Sequence, residues 1–112
     1  MHEMSVAASV IEIAEEQARE KGASKIISVT LNVGDLSGVM AEAVAFCYEA
    51  CAKGTLAENS RLIINKVTAR AFCPQCEKEF TPGSRFVICP SCSGFARITA
   101  GEDLSVERME VE

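Results

Sequence analysis

Histidine is almost missing from this chain: His2 stands alone among 112 residues. Tryptophan is absent, tyrosine occurs once, and no apolar run approaches the roughly 18 residues of a membrane helix. The scarcity of histidine removes the usual donors of a catalytic zinc, which needs an open position beside histidine or carboxylate ligands. The start, MHEMSVAASVIEIAEE, lacks a basic cluster and soon turns acidic, so no secretory signal is expected. Basic residues are scattered, eleven Lys and Arg among sixteen acids for a net charge of −5, with no stripe to meet a phosphate backbone. Repeats and low-complexity linkers are also absent. These features place the protein in the reducing cytosol, where six cysteines point to metal binding or burial rather than to disulfides.

What remains is enough for one compact domain, or a small domain with an appendage. Residues 4–21 have helical periodicity: Met4, Ala7, Val10, Ile11, Ala14 and Ala18 share an apolar face, Ile13 lies out of phase, and Gly22 supplies the stop. Residues 25–34, KIISVTLNVG, alternate as a strand, with Ile27, Val29, Leu31 and Val33 inward and Ser28, Thr30 and Asn32 on a wet face. A second helix is expected from about Met40 to Lys53, with Met40, Ala43, Val44, Cys47 and Cys51 on one stripe. With the strand at 61–71 it completes a βαβ-like unit, so the two strands are read as parallel. The last strand, 103–112, slips in apolar phase between Val106 and Met109, as 61–71 slips between Ile64 and Val67. Matching slips suggest that these two strands pair antiparallel around a bulge.

The expected fold is therefore α/β (α+β): two helices packed on a small three-stranded mixed sheet, carrying an inserted four-cysteine zinc-ribbon subdomain. The host comprises 1–71 and 98–112, and the insert 72–97. The insert pairs Cys73-x2-Cys76 with Cys89-x2-Cys92, Pro74 and Pro90 stiffening the knuckles and Gly94 permitting close backbone approach. The stretch KEFTPGSRFVI reads as a hairpin turning at Pro82-Gly83. Four thiolates suit a closed tetrahedral Zn²⁺ site, structural because it leaves no position for substrate, although the spacing also accommodates iron or an iron–sulfur cluster. Metal would supply most of the folding free energy of so small an insert. Its formal charge of +1 falls to about −1 with four thiolates and one Zn²⁺, a poor fit to nucleic acid. Phe72, Phe80, Phe86 and Phe95 are read as the insert's core rather than as stacking platforms. Cys47 and Cys51 are read as small buried apolar residues, with paired metal ligation as the alternative.

His2 can chelate. The Met1 α-amine, the His2 backbone nitrogen and the His2 imidazole close adjacent rings around one ion, and a deprotonated amide suits square-planar Ni²⁺ or Cu²⁺ better than tetrahedral zinc. Met1 is expected to remain, because trimming requires a small second residue. MHE at the start of an amphipathic helix, then VGDLSGV, FCYEACAKGT with AENSRL, and a late double CxxC insert resemble the hydrogenase nickel-incorporation metallochaperones (the HypA/HybF family) over essentially the whole chain.

That resemblance implies a cytoplasmic accessory protein, not an enzyme, that delivers Ni²⁺ to the [NiFe]-hydrogenase large subunit with a nickel-binding GTPase, and in some organisms serves urease. It implies nickel ligation by Met1, His2 and Glu3 and a structural zinc on Cys73, Cys76, Cys89 and Cys92. Some relatives carry an acid near Met40 that joins the nickel site; this chain has none there, and its nearby acids are Asp35 and Glu42. A homodimer through the sheet edge or the inserted hairpin is compatible with this reading. On the residues alone, the alternative is a zinc-ribbon module for nucleic acid or protein with no nickel role.

Overall fold

The computed structural model describes residues 3–112. Helix α1 (Glu3–Glu20) buries Val6, Ala7, Val10, Ile11, Ala14 and Ala18. Met4, expected on that face, is 51% exposed; Val6 takes its place, and Ile13 is exposed as its phase requires. The helix ends where the Ala23 N–H donates to the Ala18 carbonyl at 2.9 Å, a reversal closed by Gly22 at φ +70°. Helix α2 (Ala41–Ala52) buries Ala41, Val44, Tyr48 and Ala52. That face is rotated from the expected stripe, leaving Met40 exposed and Cys47 and Cys51 on a half-buried flank. The rotation follows Tyr48, whose ring enters the core while its hydroxyl meets Ser60 Oγ at 2.7 Å.

Both helices cover one face of a mixed sheet of strand order β2-β1-β6, built from β1 (Ile26–Gly34), β2 (Arg61–Val67) and β6 (Leu104–Val111). The β1–β2 pair is parallel, as a crossover through α2 requires. β6 pairs antiparallel with β1 rather than with β2, which corrects the expected partner. The slip in β6 is nonetheless real: Thr30 faces Arg108 while Leu31 faces Val106, so Glu107 is the extra residue of a bulge. A second irregularity at Ile27 changes the phase of β1, so that Ile26 is buried and Ile27 exposed. The face expected to be wet is covered at its centre. Ser28 and Thr30 are 4% and 2% exposed on this middle strand, flanked by Arg61 and Glu110 and by Ile63 and Arg108 respectively.

The strand read as 61–71 divides. β2 stops at Val67, and β3 (Arg70–Cys73) belongs to a second, antiparallel sheet of order β4-β3-β5, with β4 (Lys78–Phe80) and β5 (Arg97–Ala100). The Cα radius of gyration is 17.1 Å, against about 13 Å for a compact chain of this length. The apolar core holds residues from α1, β1, α2 and their neighbours but none between Val67 and Leu104. The four-cysteine sheet is thus built outside the core, as a projection along a 54 Å long axis. No described helix is long and apolar enough to cross a membrane.

Candidate metal centre

The two knuckles repeat one geometry. In the first, which follows β3, the Glu77 N–H donates to the Cys73 carbonyl at 2.8 Å; in the second, the Ser93 N–H donates to the Cys89 carbonyl at 2.9 Å. Each donor is four residues after the first cysteine of its pair, and each has positive φ, +54° at Glu77 and +62° at Ser93. The N–H nearest sulfur differs between the knuckles, preceding the left-handed residue in the first and following it in the second. The Cys76 N–H lies 3.4 Å from Cys73 Sγ, and the Gly94 N–H 3.4 Å from Cys92 Sγ. A Cβ at Gly94 would lie 3.3 Å from that sulfur and 2.6 Å from Gln75 Oε1, so the close approach expected of Gly94 is present.

The four sulfurs gather within 4.8 Å of one another. Cys73 and Cys92 are 3.6 Å apart, Cys76 and Cys89 3.9 Å. A tetrahedron with metal–sulfur bonds of about 2.3 Å has edges of about 3.8 Å, so this donor set can hold one metal ion with little adjustment. Cys73 and Cys89 are buried, Cys76 is half-buried and Cys92 exposed, which leaves one face of the cluster open to solvent.

Packing four thiols together spreads their proton affinities. The backbone N–H groups of Cys92 and Ser91 pull Cys89 down to about 6, whereas Cys92, aided by burial, pushes Cys76 up to about 12. A cation bound by all four sulfurs takes them as thiolates and displaces their protons, so its affinity falls in acid. Gln75 Oε1, 3.5 Å from Cys92 Sγ, accepts from that thiol. Nothing in the spacing singles Gln75 out, since it is simply the residue between Pro74 and Cys76.

Around the cluster, the expected hairpin does not form. β4 pairs with β3, and Ile88 bridges to Phe95, so the two ends of KEFTPGSRFVI have different partners. Phe86 and Phe95 are 91% and 87% exposed, against their expected place in a core; Phe72 and Phe80 are half-buried, and the Arg97 guanidinium lies 4.9 Å above the Phe72 ring. The sulfur cluster occupies the centre that aromatic side chains would otherwise fill.

Of the residues assigned to nickel, Met1 and His2 lie outside the described residues, and Glu3 is the first residue of α1. Asp35 and Glu42 are engaged elsewhere. Asp35 Oδ2 accepts the Ala69 N–H at 3.0 Å, and Glu42 pairs with Lys66 Nζ at 3.1 Å. The first of these bonds fastens the junction between the two sheets, a role that sequence reasoning did not assign to Asp35.

The whole chain has known counterparts. The family model described as hydrogenase/urease nickel incorporation, metallochaperone, HypA matches residues 1–111. The hydrogenase maturation factor HypA of Geobacter metallireducens is 46% identical over the full length of both chains. That of Rhizobium leguminosarum bv. viciae is 45% identical over 99% of each. Among solved structures, the solution structure of the Ni metallochaperone HypA from Helicobacter pylori superposes with a TM-score of 0.71 at 26% identity, covering 99% of this chain and 97% of that one. Another HypA solution structure gives 0.74 at 25% identity, covering 100% and 97%. This chain therefore belongs to the HypA family of hydrogenase/urease nickel-incorporation metallochaperones.

Proposed function

We propose that the protein carries Ni²⁺ on Met1, His2 and Glu3 and passes it on for assembly of the [NiFe]-hydrogenase large subunit, together with a nickel-binding GTPase. The observation that carries this reading is the family match from the first residue onward, over a chain that opens Met-His-Glu and has no other histidine. The terminal amine, the His2 amide nitrogen and the imidazole supply three donors in one plane, and Glu3 adds a further backbone nitrogen or its carboxylate. A planar nitrogen set favours nickel over zinc, which gains little from such a plane. All three nitrogens must be deprotonated to bind, so acid releases the cargo. The protein on this reading is a carrier and catalyses nothing, and it works in the cytoplasm, where its six free cysteines remain reduced. Service to urease and a homodimeric state belong to the same proposal.

The ribbon has a separate task. Cys73, Cys76, Cys89 and Cys92 would hold one Zn²⁺, and a four-sulfur tetrahedron of the size described suits that ion. When bound, the zinc supplies cross-linking of the two knuckles and no open coordination position. On this division, residues 1–71 and 98–112 form the nickel-binding part and 72–97 the zinc-binding insert.

A Ni²⁺ titration of the native chain, of His2→Ala and of a chain extended before Met1 tests the nickel reading. Loss of tight binding in both altered chains is expected. Native-like binding in both would assign the nickel elsewhere.

A further inference from the structure

Cys47 and Cys51 lie on successive turns of α2, on the half-buried flank beside its core-facing stripe. Cys51 reaches the first turn of α1: its Sγ–H donates to Met4 Sδ at 3.2 Å, and the same sulfur lies 4.0 Å from the Met4 carbonyl oxygen. Residues four apart on a helix hold their Cβ atoms about 5–6 Å from each other. With that spacing, paired side chains on one helix face can grip a single metal ion. We propose that Cys47, Cys51 and Met4 form a second metal site, a three-coordinate thiolate–thioether site for a soft monovalent cation of the Cu(I) class.

Three observations decide the ligand class. The donors are two thiols and a thioether, the soft set that selects Cu(I) among available ions. Their number is three: among the described residues only the ribbon cysteines bring three or more His, Cys, Asp or Glu ligand atoms together, so no described residue of those types adds a fourth donor at α2. Zinc, which wants four ligands, is disfavoured by that count. Access is the third. Cys47 and Cys51 are half-buried and Met4 is 51% exposed, so an ion can arrive and leave by ligand exchange.

Both cysteines pack against the edge of the apolar core but are only half-buried, beside the fully buried stripe of Ala41, Val44, Tyr48 and Ala52. One edge of the three-sulfur triangle, Met4–Cys51, is close to its bound length. Three sulfurs around one ion at about 2.3 Å stand about 4.0 Å apart in a plane, so the Met4–Cys51 pair opens by less than about 1 Å, within the reach of a methionine's three rotatable bonds. The site does not depend on the terminal nickel reading.

The test uses the full chain, with its ribbon metal in place and quantified, under anaerobic conditions. Cu(I) is titrated in competition with a colorimetric Cu(I) chelator while ribbon-metal release is followed in parallel. One Cu(I) per chain is expected, with the ribbon metal retained and a thiolate-to-copper absorption band in the ultraviolet. The Cys47→Ala/Cys51→Ala double variant should lose affinity by more than the roughly 10–100-fold typical of an outer-shell change. Met4→Leu keeps both thiols and the packing volume and should weaken binding by about 10-fold. Met4→Leu also serves if the double variant does not fold. The proposal is overturned if copper binds only as the ribbon metal leaves, if the native chain cannot hold copper against the chelator, or if the folded double variant and Met4→Leu both bind like the native chain.

Discussion

Asp35 accepts the backbone N–H of Ala69 at 3.0 Å, and its own N–H donates to the Val67 carbonyl at 3.0 Å. One residue at the end of β1 thereby grips both sides of the break between the core sheet and the four-cysteine sheet. Ala69 is 2% exposed, so its N–H has little water to turn to if the carboxylate is lost. Asp35→Ala should cost roughly 1–3 kcal/mol, and Asp35→Asn, which keeps an acceptor oxygen, distinctly less. Urea denaturation gives the stability change, and amide exchange at Ala69 reports the local one. Unchanged exchange at Ala69 in Asp35→Ala would refute the clamp.

The break at Thr68–Ala69 shows where sequence reasoning stops. NKVTARAFC contains no glycine or proline and reads as uninterrupted strand; the interruption comes from Asp35 and Gly101, far along the chain. The bulge in β6 was legible because a phase slip belongs to one strand. Its partner was not, since β2 keeps an unbroken register with β1 through Val67 and only β6 carries a bulge, at Glu107. The helices, the parallel β1–β2 pair and the four-cysteine cluster followed from period and spacing alone, which are local properties. Phe86 and Phe95 misled because aromatic identity predicts burial only where a hydrophobic centre exists.

Gly101 lies at the same junction with φ +80°, and a Cβ there would stand 2.5 Å from Ala69 Cα. That contact is with backbone and cannot be relieved by a side-chain rotation. Gly101→Ala should combine a left-handed penalty with overpacking of about 1–3 kcal/mol. Gly38, at φ +79° with nothing near its would-be Cβ, is the internal control. Gly38→Ala should cost only the left-handed term, about 1–2 kcal/mol. Equal losses in the two variants would mean that crowding against Ala69 contributes nothing.

Metal removal should divide the molecule. No residue between Val67 and Leu104 belongs to the apolar core, so chelation is expected to unfold the ribbon while the helices and the β2-β1-β6 sheet persist. Amide exchange should become fast across 70–100 and remain protected in β1 and α1. Cys73→Ser, which removes the most deeply buried of the four sulfurs, should reproduce that pattern without a chelator. Cooperative loss of protection throughout the chain would show that the core depends on the ribbon.

Tyr48 gives the host part an alkaline limit of its own. Burial raises its phenol above the usual value, opposed by the hydrogen bond with Ser60. The sign follows from proton counting. Above about pH 10 the unfolded chain loses this proton while the folded chain keeps it, so stability present at lower pH declines as pH rises further. Because the chain has one tyrosine and no tryptophan, the tyrosinate absorption band reports this group alone. A titration midpoint above that of the urea-unfolded chain is expected. Tyr48→Phe should remove this contribution to the alkaline decline, at the cost of the Ser60 bond, about 0.5–1.5 kcal/mol at neutral pH. A midpoint in the folded protein at or below that of the unfolded chain would contradict the buried, uncharged phenol.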